Sequence, residues 1–326
     1  MSEARQVDPM HCPVRPPVIP FCYSIYADKR ISIPPFRRTL EKKTMKKAVQ
    51  QLMLGKSITS EEKASRILED IAFAGYDGIE LNSFMIQKTP LFVRLLTSVA
   101  GMPAGKGGAY DWAALTRNAK LSVIALHTNI EALKKDPDSV IEKAKSLSTG
   151  YIVVTGLYHF DFKNAKTLEV LCHDLNRLGE AVSREGLSLL YHNHNAELTR
   201  INGSGERAYS FLIRCTDPVS VNFEFDSYWF ADGGADSCEW MESLGRRMRL
   251  WHINDRGTRL SSVPFTPILK SDSIELGYGN MPLDRLSAIA KRCGAEAVVL
   301  ESHRNFIGDD PMQSIRRSAA YLNCTF

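Results

Sequence analysis

Eight short apolar segments alternate along the chain with amphipathic segments of helical periodicity, and this alternation restricts the fold more than any other feature. One helical segment, for example, carries Leu168, Leu171, Leu175, Leu178 and Val182 at three- and four-residue spacing. Eight β–α units in 326 residues predict a single closed (β/α)8 TIM barrel rather than an open sheet. The predicted strands are 18–26, 77–83, 121–127, 150–155, 187–193, 219–226, 249–254 and 297–301.

The rest of the chain is assigned around this barrel. Residues 1–17 are polar and proline-rich and predict an irregular N-terminal arm. The segment 18–326 is then the barrel, with a basic, partly helical insertion at 27–58. Neither GxGxxG after the first predicted strand nor GxxxxGK[ST] occurs, so the sequence supports neither dinucleotide nor P-loop phosphate binding.

Composition limits the partners and the compartment. The formal net charge is +4, and the densest basic run, 37–47, is interrupted by acidic and apolar residues, so no nucleic-acid partner is expected. No apolar stretch approaches membrane-spanning length, and the N-terminus lacks the apolar core of a signal peptide. Seven cysteines without a CxxC pair favour a reducing environment. We therefore expect a cytoplasmic protein with no membrane partner.

Four of the predicted strands end on a residue type that binds metal ions. Their sequences are LSLLYHNH, VSVNFEFD, RLWH and AVVLE. Because the carboxyl ends of the strands lie on one face of such a barrel, these ends are expected to surround one divalent ion. Two imidazoles and two carboxylates suit manganese, zinc, iron, cobalt or magnesium. The predicted ligands are His192, Asp226, His252 and Glu301.

Other side chains at strand ends are candidates for moving protons. His194 lies two residues after His192, so on a strand it points to the same face. His127 and His159 end or follow the third and fourth strands and would approach a substrate from the other side. An imidazole titrates near neutrality, which suits general acid–base catalysis. Glu301 is a candidate base as well as a ligand.

Four residues are candidates for binding the substrate. Glu80 ends the second strand and Asn129 follows the third, where they would contact hydroxyl groups. Trp229 follows the predicted ligand Asp226 and would stack on a sugar or aglycone ring. Arg304 is a cation near the site in sequence and would bind a phosphate or carboxylate.

The sequence resembles the xylose-isomerase-like TIM-barrel superfamily over roughly residues 18–322. This superfamily groups sugar isomerases and epimerases, inosose dehydratases and barrel apurinic endonucleases. Each motif is weak alone, but together they are specific. The motifs are GYDGIEL (75–81), YHNHNAE (191–197), FEFDSYWFADGGAD (223–236), WHINDRG (251–257), ELGYGN (275–280) and VLESH (299–303).

The resemblance implies one divalent ion held by Glu, Asp, His and Glu from strands five to eight. Asp226, His252 and Glu301 match the last three ligands. The first position departs from the pattern, because His192 stands where many members have Glu; His194 is the alternative ligand if the register differs. The Tyr-His-x-His arrangement is more similar to inosose dehydratase than to the hexulose epimerases.

The same resemblance implies the activity. A histidine in the first position disfavours the two-glutamate proton shuttle of the epimerases, so we expect a metal-dependent lyase. It would remove the proton alpha to the carbonyl of a keto-sugar and eliminate a substituent, by dehydration or by 3-oxo-glycoside (C-glycoside) cleavage. The alternative is a sugar or sugar-phosphate isomerase or epimerase that works through a metal-stabilised enediolate.

Cofactor and partners follow from that expectation. Manganese is favoured over magnesium, cobalt, zinc and iron, and the substrate is a small sugar or glycoside. A small partner subunit or a homo-oligomer is expected. An apurinic endonuclease is disfavoured, because Trp229 stands where a further histidine ligand would follow the aspartate. A barrel without catalytic activity that serves as a binding protein is the remaining alternative.

Overall fold

A closed barrel of eight parallel strands organises the part of the chain that the structure describes. This computed structural model describes residues 44–258 and 269–326, apart from 89, 93, 96–107, 156 and 158. All of them belong to one unit, Lys43–Phe326. Around the barrel the strands are hydrogen-bonded in the order β1-β10-β7-β6-β5-β4-β3-β2. They are β1 Lys46–Gln50, β2 Gly78–Asn82, β3 Ser122–Thr128, β4 Tyr151–Val154, β5 Ser188–His192, β6 Val221–Asp226, β7 Met248–Ile253 and β10 Ala297–Leu300.

Helices follow or connect the strands, and the side chains before them explain where several begin. Ser60 accepts a hydrogen bond from the Lys63 amide at the start of the first helix, and Asp136 precedes Pro137 at the start of the fourth. None of the described helices is long and apolar enough to cross a membrane. The helices are α1 Glu61–Phe73, α2 Trp112–Asn118, α3 Ile130–Lys135, α4 Pro137–Ser146, α5 Ala165–Arg184, α6 Ala208–Cys215, α7 Ser227–Asp232, α8 Ser237–Leu244, α9 Leu283–Cys293 and α10 Pro311–Thr325.

The predicted (β/α)8 barrel is confirmed, but its first strand was assigned wrongly. The sequence predicted that strand at 18–26, which lies outside the described residues, and an insertion at 27–58. The barrel's first strand is instead β1, within the predicted insertion, and it pairs with both β2 and β10. Its sequence KKAVQ contains only two apolar residues, so a search for apolar runs misses it. The two lysines lie at the amino end of the strand, where the Lys46 ammonium donates to the Ser122 hydroxyl.

The barrel interior changes from apolar to polar along the strands. Leu190 of β5 and Leu250 of β7 are buried in the barrel's inner apolar cluster. His192 and His252 lie two residues further along the same strands, so they face the same interior at the carboxyl ends. The polar side chains of the site therefore lie beyond an apolar layer that fills the barrel. That layer comprises Ala48, Ile124, Ala125, Val153, Leu190, Leu250, Ala297 and Val299.

A two-stranded antiparallel ladder follows β7 and was not predicted. It pairs β8 (Asp255–Gly257) with β9 (Asp272–Ile274). The Asp255 carboxylate holds the chain beyond β9 by accepting hydrogen bonds from the amides of Gly277, Gly279 and Met281 at 2.9–3.0 Å. A Cβ on Gly279 would lie 2.3 Å from Asp255 Oδ1, so this approach requires glycine.

Candidate metal centre and active site

The carboxyl ends of the barrel strands bring buried imidazoles and carboxylates together. All four predicted metal ligands are buried, none more than 6% exposed. One ligand atom from each lies within 4.8 Å of the others. The ring nitrogen Nδ1 of His252 is 3.0 Å from Glu301 Oε2 and 3.9 Å from Asp226 Oδ2. We call this set the outer cluster; its members are His192, Asp226, His252 and Glu301.

The amide side chain of Asn193 positions the aspartate of the outer cluster. Asn193 Nδ2 donates to the backbone carbonyl of Asp226, and Asn193 Oδ1 accepts from its backbone amide, both at 3.0 Å. These two bonds join the end of β5 to the end of β6. The Asp226 carboxylate also accepts from the amide of Trp229 at 2.9 Å, which caps α7. Asp226 is thus the last residue of β6, the N-cap of α7 and a member of the outer cluster.

A second set of four buried side chains adjoins the first and shares His252 with it. We call it the inner cluster; its members are Glu80, His127, Glu224 and His252. Glu80 Oε2 lies 2.7 Å from His252 Nε2 and 3.0 Å from His127 Nε2. Glu224 Oε2 lies 2.9 Å from His127 Nε2 and 3.2 Å from His252 Nε2. His252 therefore lies between the clusters, with Nδ1 towards the outer and Nε2 towards the inner.

Glu224 is a site residue that the sequence interpretation missed. It is completely buried, and its Oε2 is also 3.0 Å from Nδ1 of His192. A signal was present, because Glu224 precedes Asp226 by two residues in the strand FEFD and so faces the same side. Gln50 was missed with its strand. Its side-chain amide donates to Glu80 at 3.0 Å.

Three atoms of the inner cluster lack a hydrogen-bond partner despite full burial. They are Glu80 Oε1, Glu224 Oε1 and His127 Nε2, the last of which is close to two carboxylates without pointing at either as a hydrogen bond requires. Buried polar atoms are rarely left in this state. Two imidazoles and two carboxylates in each cluster form the mixed nitrogen and oxygen donor set that divalent transition ions accept. The side chains present therefore fit a metal ion.

The charges in the site act strongly on one another. Burial lowers the pKa of His127, but Glu224 and Glu80 outweigh it and raise that pKa to about 10. Burial raises the pKa of Asp226 to about 6. Burial would also raise the pKa of Glu301, yet the imidazoles of His303 and His252 hold it below its usual range.

An aromatic wall extends from the outer cluster. The ring of His194 lies 5.1 Å from that of His192 and 5.6 Å from that of Trp229, and Trp229 lies 5.3 Å from His303. Burial lowers the pKa of His194 to about 3, so this imidazole is neutral near pH 7, and burial also lowers the pKa of His303. Trp229 Nε1 and His303 Nδ1 are buried without a hydrogen-bond partner. His303 was missed, although it follows Glu301 by two residues.

The structure places the other predicted residues in different surroundings. Glu80, predicted to bind substrate, and His127, predicted to move protons, both belong to the buried inner cluster. Asn129 is exposed and caps α3 through the amide of Ala132. Arg304 is exposed and pairs with Asp272 at 2.9 Å. His159 is exposed in a turn with φ of 54°. Among the described residues, these last three show no contact with either cluster.

Buried histidines and carboxylates at the carboxyl ends of the strands lie where TIM-barrel enzymes have their active sites. The chain belongs to the xylose isomerase-like TIM barrel family, whose sequence model matches residues 68–323. Inosose dehydratase from Mesomycoplasma hyopneumoniae (strain 7448) is 23% identical over 163 residues, which are 47% of this chain and 53% of that protein. The chain thus spans about half the length of the curated relatives it matches.

Solved structures show the same fold at low sequence identity. A sugar phosphate isomerase/epimerase from Parabacteroides distasonis ATCC 8503 superposes with a TM-score of 0.65 at 21% identity, over 89% of this chain and 98% of that one. The IolI protein, solved with a bound zinc atom, superposes with a TM-score of 0.60 at 15% identity, over 86% and 99%. These likenesses support the barrel fold.

Proposed function

We propose that this protein is a divalent-metal-dependent lyase acting on an oxidised sugar. It removes the proton next to a ketone and eliminates a substituent from the neighbouring carbon, either as water or as the aglycone of a 3-oxo-glycoside. The observation that carries the proposal is the outer cluster, in which four buried ligand atoms from four strand ends lie within 4.8 Å of one another. Its closeness to the aromatic wall of His194, Trp229 and His303 supports a sugar site.

The residues that would hold the ion are the four of the outer cluster. Their donor set suits manganese, our preferred ion, as well as zinc, cobalt, iron and magnesium. The structurally similar IolI protein was solved with a bound zinc atom, which supports metal binding by this protein. When bound, a divalent ion would polarise the ketone oxygen of the substrate. Asn193 would keep Asp226 in place for that role through its two hydrogen bonds.

The elimination needs a base and an acid. A ring nitrogen of His194 accepts the proton from the carbon beside the ketone, with the carboxylate of Glu301 as the second candidate base. The electron pair of that C–H bond forms the new carbon–carbon double bond. The neighbouring C–O or C–C bond to the leaving group breaks, and the leaving group takes its electron pair. The proton taken by the base is then delivered to the leaving group, and His303, with its unpartnered Nδ1, is our candidate for carrying it there.

The first ligand position favours a lyase over an epimerase. An epimerase of the two-carboxylate kind needs matched proton carriers on opposite faces of the substrate. Here His192 occupies one of those positions, so the two faces differ. An isomerase or epimerase remains the second candidate, because the structurally similar protein from Parabacteroides distasonis carries that name.

Partner and compartment remain proposals. Three large apolar side chains near the 96–107 segment are 62–73% exposed, which favours a small partner subunit or a homo-oligomer. They are Leu91, Phe92 and Leu95. A reducing cytoplasm is the compartment we expect.

The proposed reaction is tested by incubating the manganese-loaded protein with 3-keto-sugars and 3-oxo-glycosides in D2O. We expect release of water or aglycone and formation of an unsaturated ketone, both detected by NMR and mass spectrometry. A deuterated but otherwise intact sugar would instead establish the epimerase. His194→Gln should abolish turnover, whereas His173→Gln, on an exposed helical histidine, should not. No conversion of any keto-sugar by the metal-loaded protein would refute both candidates.

A further inference from the structure

The inner cluster forms a closed ring of alternating oxygen and nitrogen atoms. Glu80 Oε2, His127 Nε2, Glu224 Oε2 and His252 Nε2 follow one another with separations of 3.0, 2.9, 3.2 and 2.7 Å. A planar ring with these sides has its centre about 2.1 Å from each atom, which is the usual length of a bond from a divalent ion to nitrogen or oxygen. The separations thus match the ligand edges of one metal ion.

Hydrogen bonding alone leaves this ring incompletely satisfied. His127 Nε2 is within 3.0 Å of both carboxylates but is directed at neither, and the second oxygen of each carboxylate has no partner. All of these atoms belong to side chains that are at most 4% exposed. A metal ion at the centre would displace a proton from His127, bind the lone pair of its Nε2 and take a second oxygen from Glu80 or Glu224.

The balance of charge points the same way. The two clusters contain four buried carboxylates, those of Glu80, Glu224, Asp226 and Glu301. Among the described residues no lysine or arginine contacts them, and their near neighbours are imidazoles. One divalent ion in the outer cluster would leave the carboxylates of Glu80 and Glu224 with only imidazoles to balance their charge. Buried charges are stable only when they are paired or bound to metal, and a second divalent ion would neutralise the pair.

We propose that the inner cluster is a second binding site for a divalent transition-metal ion, held by Glu80, His127 and Glu224 with Nε2 of His252. The two sites would then lie on opposite sides of one imidazole, since Nδ1 of His252 faces the outer cluster. The inference rests on the proposed function only in that His252 is shared.

The test is a count of bound ions on the full-length protein. The chain is stripped with chelator, dialysed against Mn²⁺ or Zn²⁺, freed of excess ion and analysed by mass spectrometry of the metal. We expect two ions per chain, and one in Glu224→Gln or His127→Gln. Glu197→Gln, a buried carboxyl outside both clusters, is the matched control and should retain two.

The outcomes separate this inference from the proposed function. A single ion that is lost in Asp226→Asn but kept in Glu224→Gln overturns the inner site and leaves the outer one. Binding of no ion overturns both. Should the inner variants fail to fold, electron paramagnetic resonance of the Mn²⁺-loaded wild-type protein decides. A spectrum of magnetically coupled ions supports two neighbouring sites, and an isolated Mn²⁺ signal refutes them.

Discussion

Asn193 links the two strand ends that carry His192 and Asp226, and its role can be separated from metal ligation. In Asn193→Asp, the side chain loses the donor that faces the Asp226 carbonyl and presents an oxygen there instead. We expect the fold to persist but the affinity for the outer ion to fall by about 10- to 100-fold, as for other residues that orient metal ligands. Calorimetric titration of metal-free protein with Mn²⁺ measures this change.

The control for that variant is Asn129→Asp. Asn129 is exposed and caps α3 with its side-chain oxygen, a role that aspartate fulfils equally well. It should bind Mn²⁺ as the wild type does. Equal affinities for Asn193→Asp and the wild type would mean that Asp226 needs no such positioning.

Site residues could be predicted from the sequence where they end an apolar run. The outer cluster was found in this way, and the structure brings its four members together. Glu224 lies inside its strand and His303 lies in the loop after its strand, so neither of them ends an apolar run. Distances across the barrel decide which neighbours join the site, and these depend on strand register rather than on local sequence.

A buried glutamate close to the end of β5 should make the free energy of unfolding depend on pH. Glu197, in the short turn after β5, accepts hydrogen bonds from the Tyr191 hydroxyl and the His194 amide. Burial raises the pKa of Glu197 to about 7, from 4.5 for a free side chain. Between these values the folded chain keeps a proton that the unfolded chain releases. The free energy of unfolding should therefore decrease as pH rises from about 4.5 to about 7.

The contribution of Glu197 is isolated by comparison with Glu197→Gln, which cannot ionise. Urea unfolding of both proteins at several pH values gives their free energies of unfolding. The value for the variant minus that for the wild type should increase as pH rises, by up to about 1.4 kcal/mol per pH unit. A constant difference across this range would show that Glu197 titrates normally in the folded protein.

At the level of elements, seven barrel strands could be predicted because each is an apolar run of the length that a buried parallel strand requires. The first strand could not, because Lys46, Lys47 and Gln50 occupy three of its five positions. Those residues are accommodated by location: the lysines lie at the amino end, and Gln50 enters the polar layer beside Glu80. Such accommodation depends on the closed barrel and is not visible in the segment itself.

At the scale of the whole molecule, the outer cluster joins β5, β6 and β7 to the residue that follows β10. These elements are distant in sequence, so only the folded chain can supply all four ligands. An ion that binds the folded state alone should stabilise it by about 2.7 kcal/mol when its free concentration is 100 times Kd. We expect chelator to lower the Tm by several degrees and Mn²⁺ to restore it, measured by differential scanning calorimetry. Glu301→Gln should reduce the response to Mn²⁺, since it removes a charged ligand of the outer cluster. If the wild-type Tm is the same with chelator and with Mn²⁺, the folded barrel binds no Mn²⁺. The imidazoles and carboxylates of the two clusters are then held only by hydrogen bonds and ion pairs with one another.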